Sequence, residues 1–352
     1  MLNPEVCLFD FRIKRKKYYT KALTKINNLT VTTAPTKKKL NHNKKSIMRT
    51  KIFLFMLMST VFATYAQQDA QFTQYMYNTI NINPAYAGSR GAMSIFALHR
   101  TQWVGLDGAP VTNTASINTP LNNSNLGLGV TFINDKIGPT NENTVSADLS
   151  YFIQISPNYK LSVGVKGTLN IFNLDINKLN PEIAFPLDPT MQNINNMLTP
   201  NIGSGIYLHS DKAYFGLSVP NFIETTRYDD NEVKILQEKI NYYVIAGYIF
   251  DLTNEIKFKP AVLSKLIIGS PLQVDVSGNF MFNEKLTVGL AYRWSAALSA
   301  MVGFQVSDGM YIGYGYDRET TRLRNFSSGS HEIFLRYEIF KNNNRITTPR
   351  FF

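Results

Sequence analysis

From about residue 91 to residue 340, apolar side chains recur at every second position, in runs separated by Asn, Gly, Pro, Asp and Ser. Leu126, Leu128, Val130 and Phe132 alternate with Gly127, Gly129 and Thr131. Leu161, Val163 and Val165 alternate with Ser162, Gly164 and Lys166, and Leu286, Val288, Leu290 and Tyr292 with Thr287, Gly289, Ala291 and Arg293. Successive side chains of a strand point to opposite faces, so each run is a ribbon with one apolar face and one face that is small, polar or charged. Two architectures use such ribbons. A soluble sandwich or barrel turns the apolar face inward, whereas a membrane barrel turns it out to lipid.

Three features favour the membrane version. Most runs are long enough for a tilted strand to cross a bilayer, which takes about 9–11 residues, while soluble strands average about five or six. The polar faces carry Lys166, Asp275 and Arg293 in mid-run, which a small apolar core would tolerate badly. Aromatics such as Tyr151, Tyr242, Tyr292, Trp294 and Tyr316 stand near run ends, where a half-wetted ring suits the membrane–water interface. The expected fold is therefore all-β, a transmembrane antiparallel up-and-down β-barrel of about fourteen strands. They fall near 91–101, 111–119, 125–134, 142–156, 160–174, 201–209, 213–220, 241–251, 255–264, 271–282, 285–294, 297–307, 310–317 and 331–340. Short links such as Asp308-Gly309 are hairpin signals.

Three stretches break the pattern. Residues 67–90, rich in Gln, Asn and Tyr, read as a short helix or as a periplasmic or luminal segment. Residues 175–200 hold Pro181, Pro186, Pro189 and Pro200 among many Asn and read as a long loop. Residues 221–240 carry charges from Arg227 to Glu232, then a short helix through Val233, Ile235 and Leu236.

The formal charge of +11 is concentrated at one end. Residues 1–66 hold fourteen Lys and Arg against Glu5 and Asp10, and residues 67–352 hold twenty-two bases against twenty-three acids. The body is near neutral, which removes the electrostatic case for nucleic acid as a partner. Cys7 also lies in that leader, so a chain starting near residue 67 has no thiol chemistry. Met48-Arg49-Thr50-Lys51, the apolar run Ile52 to Ala63, and Thr64-Tyr65-Ala66 form the three parts of a cleavable secretory signal. The run is shorter than the roughly 20 apolar residues of a membrane-spanning helix. The expected organisation is an upstream extension at 1–47 with Met48 as the true start, a signal peptide at 48–66, a non-barrel segment at 67–90 and an outer-membrane barrel at 91–352.

No catalytic, cofactor-binding or metal-ligating set emerges. His99, His209 and His331 are far apart and have no cysteine to join them. Gly203-Ser204-Gly205 lacks the Lys and helix of a phosphate loop. His331 and Glu332 are strand neighbours that face opposite sides, and no Ser-His-Asp set can be assembled from spacing. No enzymatic activity is expected.

Several motifs carry a family resemblance. Gln71-Phe72-Thr73-Gln74-Tyr75-Met76-Tyr77-Asn78 is followed by Asn83-Pro84-Ala85-Tyr86-Ala87-Gly88-Ser89-Arg90, then by Arg100-Thr101-Gln102-Trp103. Asn134-Asp135-Lys136-Ile137-Gly138, Tyr314-Gly315-Tyr316-Asp317, Gly329-Ser330-His331-Glu332 and the closing Pro349-Arg350-Phe351-Phe352 continue it. Together they resemble the PorP/SprF family of type IX secretion membrane proteins, over essentially all of 67–352. The resemblance implies an outer-membrane protein of a Bacteroidota-type bacterium. It would assist secretion or surface attachment of a cargo such as a gliding adhesin, with secretion components and the cargo's C-terminal sorting domain as partners. It also marks Asn83, Pro84, Ala85, Tyr86, Gly88, Arg90, Arg100, Trp103, Asp317, His331 and Glu332 as residues with a partner-binding or structural role. The residues alone make Asn83 to Gly88 a sharp turn, because Pro84 sets φ, Gly88 permits an unusual conformation and Asn83 can bond its own backbone. The fold alone leaves open a transport channel for small or hydrophobic solutes, or a hydrolase. At the C-terminus, the insertion signal is either Phe352 or the strand bearing Ile333, Leu335, Tyr337 and Ile339.

Overall fold

In the computed structural model, the described residues are 75–121, 124–178, 193–230 and 233–340. The expected upstream extension and signal peptide lie outside them, as does Phe352. The strands are β1 (Met93–Thr101), β2 (Val111–Pro120), β3 (Leu126–Ile137), β4 (Thr140–Gln154), β5 (Lys160–Leu174), β6 (Ile194–His209) and β7 (Ala213–Val219). They continue as β8 (Thr225–Asp230), β9 (Val233–Glu238), β10 (Asn241–Tyr248), β11 (Phe250–Asp251), β12 (Ile256–Ile267) and β13 (Gln273–Phe282). The last four are β14 (Leu286–Arg293), β15 (Ala297–Gln305), β16 (Met310–Glu319) and β17 (Ser330–Ile339).

Every strand of the wall pairs antiparallel with two neighbours except the two-residue β11, which pairs with β12 alone. β10 and β11 are two pieces of one stave interrupted at Ile249, so the described wall has fourteen staves. The ring closes where β1 meets β17, from Met93 opposite Ile339 to Thr101 opposite His331. Closure leaves no edge and pairs the backbone groups that lipid would leave unsatisfied.

Exposure decides which way the ribbons face. Val130 is 56% exposed and Val165 56%, whereas their neighbours Thr131 and Lys166 are 1% and 5% exposed. Asp275 is also buried, and Arg293 turns inward to meet it at 3.0 Å. The leucines and valines of the runs line the outside and the polar faces line the lumen, as a membrane barrel requires.

Two expectations are corrected. β6 starts at Ile194, inside the stretch read as loop, because Asn195 and Asn196 extend the strand beyond its apolar part while it stays paired with β5 through a register shift near Phe172 and Leu174. The stretch read as a helix through Val233, Ile235 and Leu236 is instead β9, paired with β8 from Thr225 opposite Glu238 to Asp230 opposite Val233. Three apolar residues do not distinguish a helical from a strand period, and here cross-strand pairing prevails.

Of the readings open for 67–90, the described part is luminal. Residues 75–86 form three short 3₁₀ turns, at Tyr75–Tyr77, Thr79–Asn81 and Pro84–Tyr86, buried within the ring. Links of three to five residues follow β2, β4, β6, β13 and β15 at one end. The connections following β1, β5, β7 and β16 at the other end are longer, while those after β3, β12 and β14 there have two, five and three residues. Short turns are the periplasmic mark of such barrels and long loops the extracellular one.

Candidate functional site

The chain's own segment from Tyr75 to Arg90 lies inside the lumen. Its last turn follows from local chemistry. Asn83 is extended, and its Oδ1 accepts from the Ala85 N–H at 3.0 Å. Pro84 takes the first helical position, where its missing N–H costs nothing. Gly88 sits at φ +71°, where a side chain would be strained, and carries the chain toward β1.

The wall is cut to receive this turn. A Cβ at Gly164 would run into the main chain of Pro84 and Ala85, and one at Gly205 into the Asn83 side chain. Polar wall groups then bond the segment's backbone. Ser150 Oγ donates to the Ala87 oxygen at 2.7 Å, Ser218 Oγ to Ile82 at 2.6 Å and Lys166 Nζ to Ile80 at 3.2 Å. Asn83 Nδ2 donates to the Ile206 oxygen at 3.0 Å. A buried non-repetitive segment needs such partners, since each unsatisfied backbone group carries a desolvation penalty.

Farther along, Tyr77 stacks on Phe334 at 4.9 Å and on Tyr311 at 5.5 Å, between ring centroids. The Lys259 ammonium lies 5.1 Å from the centre of the Tyr77 ring, and the Arg336 guanidinium 5.2 Å from that of Tyr311. Desolvated cation–aromatic pairs of this kind contribute up to about 2 kcal/mol. At the periplasmic end Arg90 is paired with Glu338 and approached by the Tyr86 hydroxyl. Burial alone would lower the Arg90 pKa, but the Glu338 carboxylate and Tyr86 outweigh it, and the guanidinium is raised above its ordinary value.

A second cluster lies toward the extracellular end. Arg100 of β1 reaches Asp317 of β16 at 2.7 Å and Glu332 of β17 at 3.0 Å, all three nearly inaccessible to solvent. Trp103, in the loop that follows β1, has φ +47°. Its indole N–H donates to Glu319 at 3.1 Å and its backbone N–H to Ser330 Oγ at 3.2 Å. Val104 N–H donates to Gly329 O and Ser328 N–H to Val104 O, fastening the loop after β1 to the loop before β17.

The motif residues thus gather in two places. Asn83, Pro84, Ala85, Tyr86 and Gly88 form the luminal turn, with Arg90 at its foot. Arg100, Asp317 and Glu332 form the charged cluster, with Trp103 beside it. His331 is separated from Glu332 by the wall, since it faces outward and its Nδ1 lies 2.6 Å from the Tyr314 hydroxyl. Sequence reasoning missed the receiving surface of Gly164, Gly205, Ser150 and Ser218, and the rings of Tyr77 and Tyr311. The available signal was the smallness of inward positions on neighbouring strands. Among the described residues no group of His, Cys, Asp or Glu is placed to hold a metal ion.

The model of a family described as type IX secretion system membrane protein PorP/SprF matches residues 64–337. No curated protein matches the chain. Among solved structures, the Acinetobacter baumannii outer membrane protein Omp33 is similar at 8% identity and TM-score 0.42, over 70% of this chain and 98% of that one. The Ralstonia pickettii toluene transporter TbuX is similar at 10% identity and TM-score 0.44, over 79% and 95%. The CymD monoaromatic hydrocarbon channel follows at 11% identity and TM-score 0.43, over 74% and 92%.

Proposed function

Because the chain belongs to the PorP/SprF family of type IX secretion system membrane proteins, we propose that it is an outer-membrane accessory barrel of that system, assisting secretion or surface attachment of a cargo such as a gliding adhesin. Its partners are secretion components and the cargo's C-terminal sorting domain, and it performs no catalysis. Export is directed by the cleavable signal at 48–66, with residues 1–47 preceding the true start. The observation that carries the reading is the lumen packed with residues 75–90, which suits a docking platform better than a conduit. Within that platform, the Asn83–Gly88 turn holds the barrel's shape from inside, and the loops braced by Trp103 present the partner surface.

Deleting the gene tests this. The expected result is loss of the adhesin from the cell surface, restored by the intact gene, together with co-purification of cargo or secretion components from detergent-solubilised outer membrane. Normal surface display in the deletion strain, with ion conductance by the purified protein, would instead favour the transport-channel reading.

A further inference from the structure

The outward rows of the barrel differ around its circumference. On β13, β14 and β15 they stay apolar toward the extracellular end, through Val276, Leu290, Tyr292 and Leu298, with Trp294 in the adjoining turn. On β17 and on β1 to β5 they turn polar. Ile333 gives way to His331, Ala97 to His99 and Thr101, and Ala115 to Asn113, beyond which Val111 stays apolar between Thr101 and Lys136. Phe132 gives way to Asn134 and Lys136, Val145 to Asn143 and Asn141, and Ile171 to Asn173.

These residues are cross-strand partners. His331 stands opposite Thr101, His99 opposite Asn113, Asn113 opposite Asn134, and Asn134 opposite Asn143. Lys136 stands opposite Asn141, and Asn141 opposite Asn173. They form one belt over six adjacent strands. Within it His99 Nδ1 lies 2.7 Å from Asn113 Oδ1, and Asn134 Nδ2 donates to Asn141 and Asn143 at 2.9 Å each. Asn141 and Asn143 accept in those bonds and keep their own N–H groups for an outside partner.

The acids of the same stretches take the intervening inward positions. Asp135 accepts from Thr112 at 2.6 Å and Glu332 from Arg100. Among the described residues the outward belt therefore offers amides, the His331 imidazole and the Lys136 ammonium without a carboxylate, while both ring nitrogens of His99 are taken up within the belt by Asn113 and Thr101. It starts where the acyl-facing rows stop, at the end with long loops, so it continues the lipid interface up to headgroup height. Amides and imidazoles pair with hydroxyls, and an ammonium with phosphate.

We propose that this sector binds the phosphorylated sugar headgroup of an outer-leaflet glycolipid. The sector holds such lipids around one side of the barrel, while the β13–β15 side meets ordinary acyl chains.

Native mass spectrometry of the full mature chain in detergent tests this, with lipid A carrying two sugar-acid residues as probe and phosphatidylglycerol as the competitor that has charge without sugar. Preferential retention of the lipid A probe is expected. Combining N134A, K136A and N143A should weaken it about tenfold or more, the effect of removing two or three hydrogen bonds, while L290A leaves it unchanged. Heat-modifiable gel mobility reports whether each barrel is folded, and the milder H99A with N113A stands in if the triple variant is not. Equal retention of phosphatidylglycerol by the wild-type chain overturns the proposal, whatever the variants do. So does retention unchanged in folded belt variants, or a belt variant that abolishes a dimer instead, which would make this face a contact between two copies.

Discussion

The side-chain amide of Asn83 donates to the main-chain oxygen of Ile206 at 3.0 Å, in the part of β6 that Gly205 leaves bare. The luminal turn is therefore held against the backbone of the wall. Its position depends on small residues in the wall as much as on its own sequence.

Adding bulk beneath that turn should evict it. Gly164→Val places a branched side chain where the main chain of Pro84 and Ala85 now lies. The expected outcome is a barrel that still inserts but conducts ions in a planar bilayer, against little or no conductance for the unmodified chain. Asn83→Ala should act in the same direction more weakly, with a stability loss of about 1–3 kcal/mol for a buried hydrogen-bonded group. A Gly164→Val barrel that inserts and stays as closed as the parent would show that the turn does not seal the lumen.

Removing Arg100 strands two buried acids. Arg100→Leu leaves Asp317 and Glu332 without the guanidinium that each now contacts, and breaking a buried ion pair from one side costs about 3–5 kcal/mol. Adding Asp317→Asn and Glu332→Gln should recover much of the loss. Urea unfolding in detergent micelles measures both variants, and equal stability of Arg100→Leu and the parent would refute the cluster's energetic role.

Adjacent positions on β5 should respond to opposite chemistry. Val165→Arg puts a charge among acyl chains, at about 2–4 kcal/mol near the bilayer centre. Lys166→Met adds apolar bulk one residue away but abandons Asp148, which Lys166 meets at 3.1 Å, and the Ile80 carbonyl. Both variants should lower the equilibrium yield of folded barrel in lipid vesicles. Lys166→Met combined with Asp148→Leu should restore it, whereas no inward partner change should rescue Val165→Arg.

Exchanging the charges at the foot of the luminal segment should be tolerated better than losing either. Arg90→Glu alone sets a second acid beside Glu338, and Arg90→Glu with Glu338→Arg restores opposite signs. Thermal midpoints of the single and double variants give the coupling directly. A double variant no more stable than Arg90→Glu alone would mean that the pair contributes geometry the swap cannot reproduce.

Much of the wall was legible because lipid imposes a period of two. Val163 and Val165 announce their outward face, and Lys166 its inward one. Where the wall rises beyond the bilayer that imposition ends, so β6 between Ile194 and Thr199 and the β8–β9 hairpin carry no alternation strong enough to read. The meeting of Arg100 with Asp317 and Glu332 was hidden for another reason. It depends on the register with which the first strand closes onto the last, and nothing local in the chain states that register. The luminal turn at Asn83–Gly88 could be read as a turn, but its receiving surface is assembled from glycines and serines on separate strands whose smallness has meaning only once they are neighbours.

The seam between β1 and β17 has a further consequence for assembly. The two strands that zip the cylinder shut are the first and last of the wall, and the segment that occupies its interior is tethered directly ahead of the first. The sheet must therefore curl around its own stopper, and the latch cannot engage until the final strand has been delivered. An unfinished cylinder would present an unzipped β1 border, so whatever machine inserts this chain must shield that border until the ends meet.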